Sequence, residues 1–418
     1  MKNKILVLSI VILLIVSLIS CENNVKPLNY HSSLESQTNF DSEFFVSDTM
    51  SADELLPEQI PEPQDTIVSF LAVGDNIIYN GQLREAKANA KDDPNVEYDF
   101  KSMYSNVAEI IDSYDVAFVN QETVMAGKSY GYSQYPDFNS PQELGYDLLS
   151  IGFDIVNIAT NHMLDMWYDG LEKTIRFWEG MDALMVGGYW DKDDFMDIRY
   201  IEREGVKIAV VGFTYSPKYK EGKNVFIPQI NDDLITEWLE KAREEADFIV
   251  VSMHWGKEYD QSPSSEQKRL AKLIADNGAD VILGHHTHCL QPIEWIEGQD
   301  GNRTLCFYSL GNFTSETDET VSLVGGIATF DIVYNELDGA RIDNIGFIPT
   351  VMDYRSSFNK NTVYLLQDYT NELCKSHNIV SYFKKPLDLD MLNGYVMNVI
   401  DEQYLPLSYL NSISKAEN

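Results

Sequence analysis

Short apolar, β-branched runs alternate with segments of helical periodicity from about residue 66 onward. This alternation is typical of an α/β protein in which helices cover a parallel or mixed sheet. It predicts helices at Gly170–Trp178 and Ser264–Asn277. The predicted strands are Thr66–Val73, Asp115–Asn120, Asp154–Ala159, Lys207–Phe213, Asp247–Met253, Asp280–Leu283, Leu305–Leu310 and Gly326–Tyr334.

The N-terminus has a different pattern. Lys2 and Lys4 precede an apolar run from Ile5 to Ile19, which is shorter than the roughly 20 residues of a membrane-spanning helix. We therefore predict a secretory signal over residues 1–21. Its end resembles a lipobox, which predicts a lipoprotein with lipidated Cys21, anchored at the extracytoplasmic face of the cell membrane. The alternative is an uncleaved signal anchor.

Three further segments follow the signal. Residues 22–65 are polar and acidic with little apolar periodicity, which predicts a disordered tether. Residues 66–350 would form the α/β domain, and residues 351–418 a helical C-terminal extension with helices near Thr362–Ser376 and Leu387–Asp401. The sequence leaves open whether this extension caps the sheet or binds a partner.

The charge of the chain restricts its ligands. The 418 residues include 31 basic and 66 acidic side chains, giving a net charge of −35. Such a surface repels nucleic acid and extended polyanions, so an anionic substrate would have to be held locally, by metal ions. No disulfide framework is indicated, and Cys289 is expected to be a small buried residue rather than a soft metal ligand.

Side chains that can bind metal follow the ends of several predicted strands. In open α/β sheets these ends line the ligand crevice, so the side chains should converge. Carboxylate, amide and imidazole groups are ligands of divalent transition metals, and a set of this size suits two ions that share a bridging carboxylate. The proposed ligands are Asp75, Glu122, Asn161, His254, His286 and His288.

Each of these motifs taken alone has another explanation. The Gly-Asp pair at 74–75 can be a turn, Asn161 can cap a helix, and His254 can pack in the core. The loop Gly284-His285-His286-Thr287-His288 is different, because structural roles seldom require three histidines in four residues. His31 and His377 are expected to be solvated and without function.

Six motifs in one order resemble the CapA family of poly-gamma-glutamate capsule synthesis proteins, over about residues 70–335. Because that family is similar to the calcineurin-like metallophosphoesterases, the resemblance implies a sandwich of mixed β-sheets flanked by helices. The motifs are Gly74-Asp75-Asn76, Asn120-Gln121-Glu122, Asn161-His162-Met163-Leu164-Asp165, His254-Trp255-Gly256-Lys257-Glu258, Gly284-His285-His286-Thr287-His288 and Tyr308-Ser309-Leu310-Gly311-Asn312-Phe313.

The resemblance also implies roles for individual residues. Asp75 and His288 would hold one metal, and Asn161, His254 and His286 the other, with Glu122 bridging them. His162 would lie beside the substrate without binding metal, and His285 would not be a ligand. The family pattern differs here at Ile77, where a histidine is usual in phosphoesterases, so one metal loses a ligand. Tyr79, Asn80 and Thr160 are further departures.

These expectations lead to a functional hypothesis. One or two divalent ions (Mn, Fe or Zn) would support hydrolysis, with the catalytic His162 protonating the leaving group or steadying a phosphoryl oxygen, and Asp165 orienting His162. The resemblance implies a cell-surface role in poly-gamma-glutamate biosynthesis or export, with an anionic polymer or phosphoester as substrate and a membrane-bound synthetase or exporter as partner. The alternative is a non-catalytic, metal-binding assembly or anchoring subunit.

Overall fold

The computed structural model describes residues 64–92, 94–215, 225–355 and 359–416. The predicted signal, lipidated Cys21 and His31 lie outside these residues, as does nearly all of the predicted tether. Across the described ranges, no helix is both long enough and apolar enough to cross a membrane.

The first sheet has eight strands and mixed direction. Its central strand, β1, runs parallel to β2 and antiparallel to β12, while β2, β3 and β4 continue the parallel half. The short β11 pairs with the end of β1. Across the sheet the order is β14-β13-β12-β1-β2-β3-β4, where β1 is Thr66–Asn76, β2 Val116–Gln121, β3 Ile155–Asn157, β4 Leu184–Val186, β11 Asn312–Thr314, β12 Val324–Asn335, β13 Gly339–Arg355 and β14 Asn359–Leu365.

The second sheet has six strands. Four of them are parallel neighbours, and an antiparallel strand closes each edge. Their order is β5-β6-β7-β8-β10-β9, where β5 is Arg199–Arg203, β6 Val206–Thr214, β7 Phe248–His254, β8 Val281–His285, β9 Ile293–Glu297 and β10 Arg303–Phe307. The predicted mixed α/β class is confirmed.

Strand β7 shows how the layers are built, because its side chains alternate between two apolar cores. Phe248 and Val250 belong to the core shared by the two sheets, where the Phe248 and Phe330 rings lie 6.1 Å apart. Ile249 and Val251 instead pack in the core formed with the helices outside the second sheet. All of these side chains are buried. The two sheets thus form a sandwich with helices on the outside.

Helices cover the outer faces of the two sheets. Several of them, such as α8 (Ser265–Asp276), begin at a polar side chain that caps the helix N-terminus. The Ser264 hydroxyl accepts a hydrogen bond from Gln267 N, and the Gln267 side-chain oxygen accepts one from Ser264 N, which forms a capping box. The helices are α1 Asn80–Asn89, α2 Lys101–Tyr104, α3 Ala108–Asp112, α4 Glu143–Ser150, α5 Trp167–Glu179, α6 Lys192–Phe195, α7 Asp232–Glu245, α8 Ser265–Asp276, α9 Asn371–Ser376, α10 Asn378–Ser381, α11 Leu389–Met397 and α12 Leu407–Ala416.

The C-terminal residues correct part of the secondary-structure prediction. The expected boundary at residue 350 falls inside β13, and the first part of the helix predicted at Thr362–Ser376 is strand β14. Edge strands of this kind are hard to recognise because β propensity depends on packing against neighbours. Helices follow from Asn371, and buried Leu392 and Val396 of α11 join the main core. The extension therefore packs on the domain.

His377 is also placed differently from the prediction. It is fully buried rather than solvated, and its Nδ1 accepts a hydrogen bond of 3.0 Å from Ile379 N at the start of α10. Its Nε2 lies 3.2 Å from the Met352 carbonyl oxygen. Burial lowers the pKa of His377 to about 4. The residue has a structural role, joining the extension to β13.

Candidate metal centre

The predicted ligands converge at the carboxyl edges of the two sheets. Asp75 lies near the end of β1 and Glu122 directly after β2, while Asn161 follows β3. His254 is the last residue of β7, and His286 and His288 follow β8. All six side chains are buried, none exposing more than 9% of its surface. Asp75 is not in a turn, and Asn161 does not cap α5, which begins at Trp167.

Asp75 and His288 form one side of the centre. Asp75 Oδ2 lies 3.1 Å from His288 Nδ1 and accepts a hydrogen bond of 3.1 Å from His286 N. Its Oδ1 accepts one of 2.7 Å from Asn120 Nδ2, and Asn157 Nδ2 in turn donates to Asn120 Oδ1 at 2.7 Å. This buried row of amides orients the Asp75 carboxylate.

His288 is held with one ring nitrogen towards Asp75 and the other towards Glu122. Its Nδ1 also lies 3.0 Å from Asn312 Oδ1, and its Nε2 lies 3.8 Å from Glu122 Oε1. Burial favours the neutral ring, but Glu122 and Asp75 outweigh it and raise the pKa of His288 to about 10. The ring thus supplies positive charge between two carboxylates, the position in which a cation would be favoured.

Asn161, His254 and His286 form the other side. Asn161 Oδ1 lies 3.0 Å from His254 Nε2, and the His254 and His286 rings are 4.8 Å apart. Burial lowers the pKa of His254 well below its usual value, and burial together with His288 lowers that of His286 to about 3. Both rings are therefore neutral, which is the form of histidine that binds metal.

Glu122 lies between the two sides. Its Oε1 is 3.8 Å from His162 Nε2, 3.9 Å from His254 Nε2 and 3.8 Å from His288 Nε2. The side chain is fully buried, and neither carboxylate oxygen has a hydrogen-bond partner among the described residues. Burial, and then Asp75, raise the pKa of Glu122 well above its usual value. A buried carboxylate without a hydrogen-bond partner among the described residues is suited to binding a cation.

The histidine loop has a strained backbone. His286 and His288 have φ angles of +84° and +56°, in the left-handed region that side chains seldom adopt. Such strain costs on the order of 1–3 kcal/mol per residue and is concentrated at functional sites. Gly284 lets β8 approach the next loop closely, since a Cβ there would lie 1.9 Å from the Tyr308 carbonyl oxygen. The loop shape thus depends on the close contact between β8 and the segment that follows β10.

His162 faces the centre from a fixed orientation. Its Nδ1 lies 2.7 Å from Asp165 Oδ2, which also accepts a hydrogen bond of 2.7 Å from Phe138 N. The Phe138 ring packs edge-on against the imidazole, with centroids 4.8 Å apart. Nε2 is consequently the nitrogen on the Glu122 side. This geometry matches the pairing of His162 with Asp165 that the sequence predicts.

Two residues at the centre were not predicted as site residues. Tyr215, directly after β6, places its ring 4.6 Å from that of His286. Glu258 forms a group with His286 and His288 whose ligand atoms all lie within 4.8 Å of one another. Glu258 belongs to the His254–Glu258 motif, so its position four residues after a strand-end histidine was the available signal. Tyr215 had no comparable signal.

The cysteine and histidine neighbours of the loop are buried. Cys289 is a free, fully buried thiol, and burial raises its pKa to about 12, as expected of a core residue. His285 is also fully buried, and its ring stacks on Phe118 at 5.8 Å. The His285 Nδ1 lies 3.7 Å from Asp75 Oδ1, so the His285 ring packs against the Asp75 side of the metal centre.

A cavity of about 550 Å³ adjoins the metal centre. The cavity and the small space at the metal centre, which Glu122, His162 and His288 line, share four residues as walls. These are Tyr79, Tyr135, Tyr259 and Thr317. The C-terminal extension contributes an aromatic wall through 382–383, so the extension takes part in shaping the site. The side chains that define the character of the cavity are Tyr79, Tyr135, Tyr259, Tyr382, Phe383, Arg84, Glu316 and Asp318.

The sequence that forms this centre matches the profile of a known protein family. The profile of the bacterial capsule synthesis protein family PGA_cap matches residues 69–317, more than half of the chain. The chain belongs to this family. The matched range contains every predicted metal ligand as well as His162 and Asp165, so the residues that form the centre lie in the part that the family shares.

Two curated relatives carry the same association with capsules. The chain is 38% identical over 174 residues to the PGA biosynthesis protein CapA of Bacillus subtilis, covering 40% of this chain and 43% of that protein. It is 36% identical over 173 residues to the capsule biosynthesis protein CapA of Bacillus anthracis, covering 39% and 40%. The chain therefore matches about two fifths of the length of these relatives. The resemblance to CapA is confirmed.

Among solved structures, the chain is similar to the NAD nucleotidase of Haemophilus influenzae. The TM-score is 0.42 and the sequence identity 14%, with 85% of this chain and 60% of that chain covered. This similarity is distant in sequence and partial in structure.

The residues of the centre fit a divalent cation. The observation that decides this is the buried Glu122 carboxylate, which has no hydrogen-bond partner among the described residues although three histidine nitrogens surround it at 3.8–3.9 Å. Carboxylate, imidazole and amide oxygen together suit Mn, Fe or Zn. The predicted sharing of ligands between two ions stays a prediction.

Proposed function

We propose that the protein is a metal-dependent hydrolase of the phosphoester type that works in the synthesis of a poly-gamma-glutamate envelope polymer. The single observation that supports hydrolysis best is the convergence of six buried ligands around Glu122, next to a histidine that is oriented by a carboxylate. Membership of the capsule synthesis family supports the place in polymer synthesis.

In this proposal Asp75 and His288 would hold one ion, Asn161, His254 and His286 would hold the other, and Glu122 would be a ligand of both. The observed pairs agree with this division, because Asp75 contacts His288 and Asn161 contacts His254. Bound divalent ions supply Lewis-acid chemistry, acidifying water and stabilising negative charge on the substrate. The protein contributes the shape and orientation of the site.

His162 is the proposed proton donor. Asp165 accepts a hydrogen bond from Nδ1, which leaves Nε2 to face the substrate, and the carboxylate stabilises a positively charged ring. When water adds to the phosphorus atom and the bond to the leaving oxygen breaks, Nε2 gives its proton to that oxygen. Replacement of either partner would therefore slow the chemical step without removing the ligands.

The charges around the adjoining cavity indicate which part of a substrate it takes. Among the described residues that line it, Arg84 is the only cation, whereas Glu316 and Asp318 are acidic and several walls are aromatic. A run of free carboxylates would be repelled there. We infer that the anionic group of the substrate binds at the metal centre and that a neutral, ring-shaped or aliphatic portion occupies the cavity.

We further propose that the domain is held at the extracytoplasmic face of the membrane by lipidated Cys21, where a membrane-bound synthetase or exporter would be its partner. The support is the sequence of residues 1–21 together with the polymer pathway of the relatives. Radiolabelled palmitate incorporated into wild type, and absent from Cys21→Ala, is the expected result.

Metal analysis combined with a substrate screen tests the hydrolase proposal. Wild type should copurify with divalent metal and cleave a generic phosphomonoester or phosphodiester. His286→Ala should lose metal and activity, whereas His162→Ala should lose activity and keep its metal. Metal bound normally in wild type, without cleavage of any phosphoester, would favour the non-catalytic assembly or anchoring role instead.

A further inference from the structure

The turn after β7, residues 255–259, is tied directly to the histidine loop. Tyr259 N donates a hydrogen bond of 2.7 Å to the Thr287 carbonyl oxygen, and Trp255 N donates a longer one of 3.4 Å to that of His285. Trp255 is buried and its Nε1 donates to the Tyr308 carbonyl oxygen at 2.9 Å. These contacts fix the turn, and hence Glu258, relative to the ligands His286 and His288.

Gly256 makes this close approach feasible. Its φ angle is +90°, and a Cβ at this position would lie 2.8 Å from both Thr287 Cγ2 and Gln267 Oε1. Tyr259 also adopts a left-handed φ of +63°. Left-handed backbone at a residue other than glycine costs free energy and is concentrated at ligand-binding sites, as is also seen in the histidine loop.

The Glu258 carboxylate is part of one of two groups of potential ligand atoms that meet at His288. One group is Asp75, Glu122 and His288, and the other is Glu258, His286 and His288, each with ligand atoms within 4.8 Å of one another. Glu258 also lines the space above Glu122. No lysine or arginine within the described ranges forms an ion pair with Glu258, so its carboxylate is directed only towards the histidines of the centre.

Ile77 lies in the wall of the same space and is buried, with 3% of its surface exposed. Its side chain has no ligand atom, so it cannot contribute to the ion held by Asp75 and His288. We propose that Glu258 is a ligand of that ion and compensates for the ligand that Ile77 cannot provide. The inference rests on the metal centre of the proposed function and adds a carboxylate to it.

The test measures Mn²⁺ binding rather than activity. Calorimetric titration and metal content after dialysis are compared for wild type, Glu258→Gln and Asp318→Asn. The control removes an equal charge from an exposed carboxylate that lines the neighbouring cavity but belongs to neither ligand group. We expect Glu258→Gln to bind Mn²⁺ about 10- to 100-fold more weakly, a loss typical of a weakened metal site, and Asp318→Asn to bind like wild type.

A double variant tests whether a ligand at position 77 can replace the one at position 258. Ile77→His combined with Glu258→Gln should regain most of the lost affinity, since an imidazole at 77 can supply the missing ligand. Because Glu258 is exposed, its replacement should leave folding unchanged, which circular dichroism checks.

The possible results distinguish failure of the metal centre itself from failure of the role of Glu258. Wild type that binds no divalent ion would overturn the metal centre and this inference together. Equal Mn²⁺ affinity of wild type and Glu258→Gln would overturn only the role of Glu258. A double variant that remains as weak as Glu258→Gln would overturn the compensation for Ile77.

Discussion

Replacement of Glu122 by glutamine should change stability in opposite directions with and without metal. In the metal-free protein the Glu122 carboxylate is fully buried and has no hydrogen-bond partner among the described residues. Leaving a buried polar group unpaired costs about 1–3 kcal/mol, and more when the group is charged. Glutamine is still polar but carries no charge, so the substitution should relieve only the additional penalty of the charge and stabilise the metal-free protein by about 1 kcal/mol.

The metal-bound protein should respond in the other direction. At a free metal concentration 100 times Kd, binding stabilises wild type by about 2.7 kcal/mol. With about 2 °C of melting temperature per kcal/mol for a domain of this size, wild type should gain about 5 °C on metal addition. Glu122→Gln loses the ligand that contacts both sides of the centre, so its melting temperature should hardly change with metal.

Thermal melts of metal-free protein, followed by the same melts with added Mn²⁺, provide the measurement. Asp147→Asn is a suitable control, because Asp147 is also a buried carboxylate but binds Phe100 N and Lys101 away from the centre. It should show the full wild-type response to metal. A metal-induced shift in Glu122→Gln as large as that of wild type would refute the placement of Glu122 as a ligand, and a lower metal-free melting temperature would refute its being an unpaired charge.

Three further predictions concern catalysis, pH and the cavity. His162→Ala should lower kcat by about 10²- to 10⁴-fold with unchanged metal content, and metal loss on this substitution would contradict its non-ligand role. Burial lowers the pKa of His377 to about 4, so the unfolded chain binds the extra proton and wild type should lose up to about 3 kcal/mol as pH falls from 6.5 to 4. Urea titrations should show a smaller acid loss for His377→Gln, and an identical pH dependence would contradict the assignment. Tyr382→Ala should raise KM several-fold with little change in kcat; unchanged KM would remove Tyr382 from the substrate site.

The centre of the fold could be predicted from sequence because its strands are buried on both faces. The run Phe248–Val251 is continuously apolar, and the structure confirms it as β7 between two cores. The edges could not be predicted so well. Strand β14, Asn359–Leu365, pairs with β13, although the sequence predicted a helix from Thr362. Pairing energy comes from a partner that local sequence does not contain.

The candidate site likewise has a part that could be predicted from sequence and a part that could not. The sequence identifies the histidine loop and the ligands at the strand ends, since metal-binding side chains are chemically distinctive and the ends of parallel strands converge. Family membership and the predicted fold class are confirmed, whereas the metal roles remain proposals. His377 shows the limit, because nothing in its local sequence indicates that α10 and β13 enclose it.

By itself, therefore, the sequence predicted that Asp75, Glu122, Asn161 and His254 gather with His286 and His288, from the types of these residues and their order along the strands. Only the tertiary structure decided that Glu122 has no hydrogen-bond partner among the described residues and that the C-terminal extension forms a wall of the neighbouring cavity. The position of Glu258 also belongs to this second class. The physical reason is that burial, unpaired charge and distance between atoms arise when remote segments pack together.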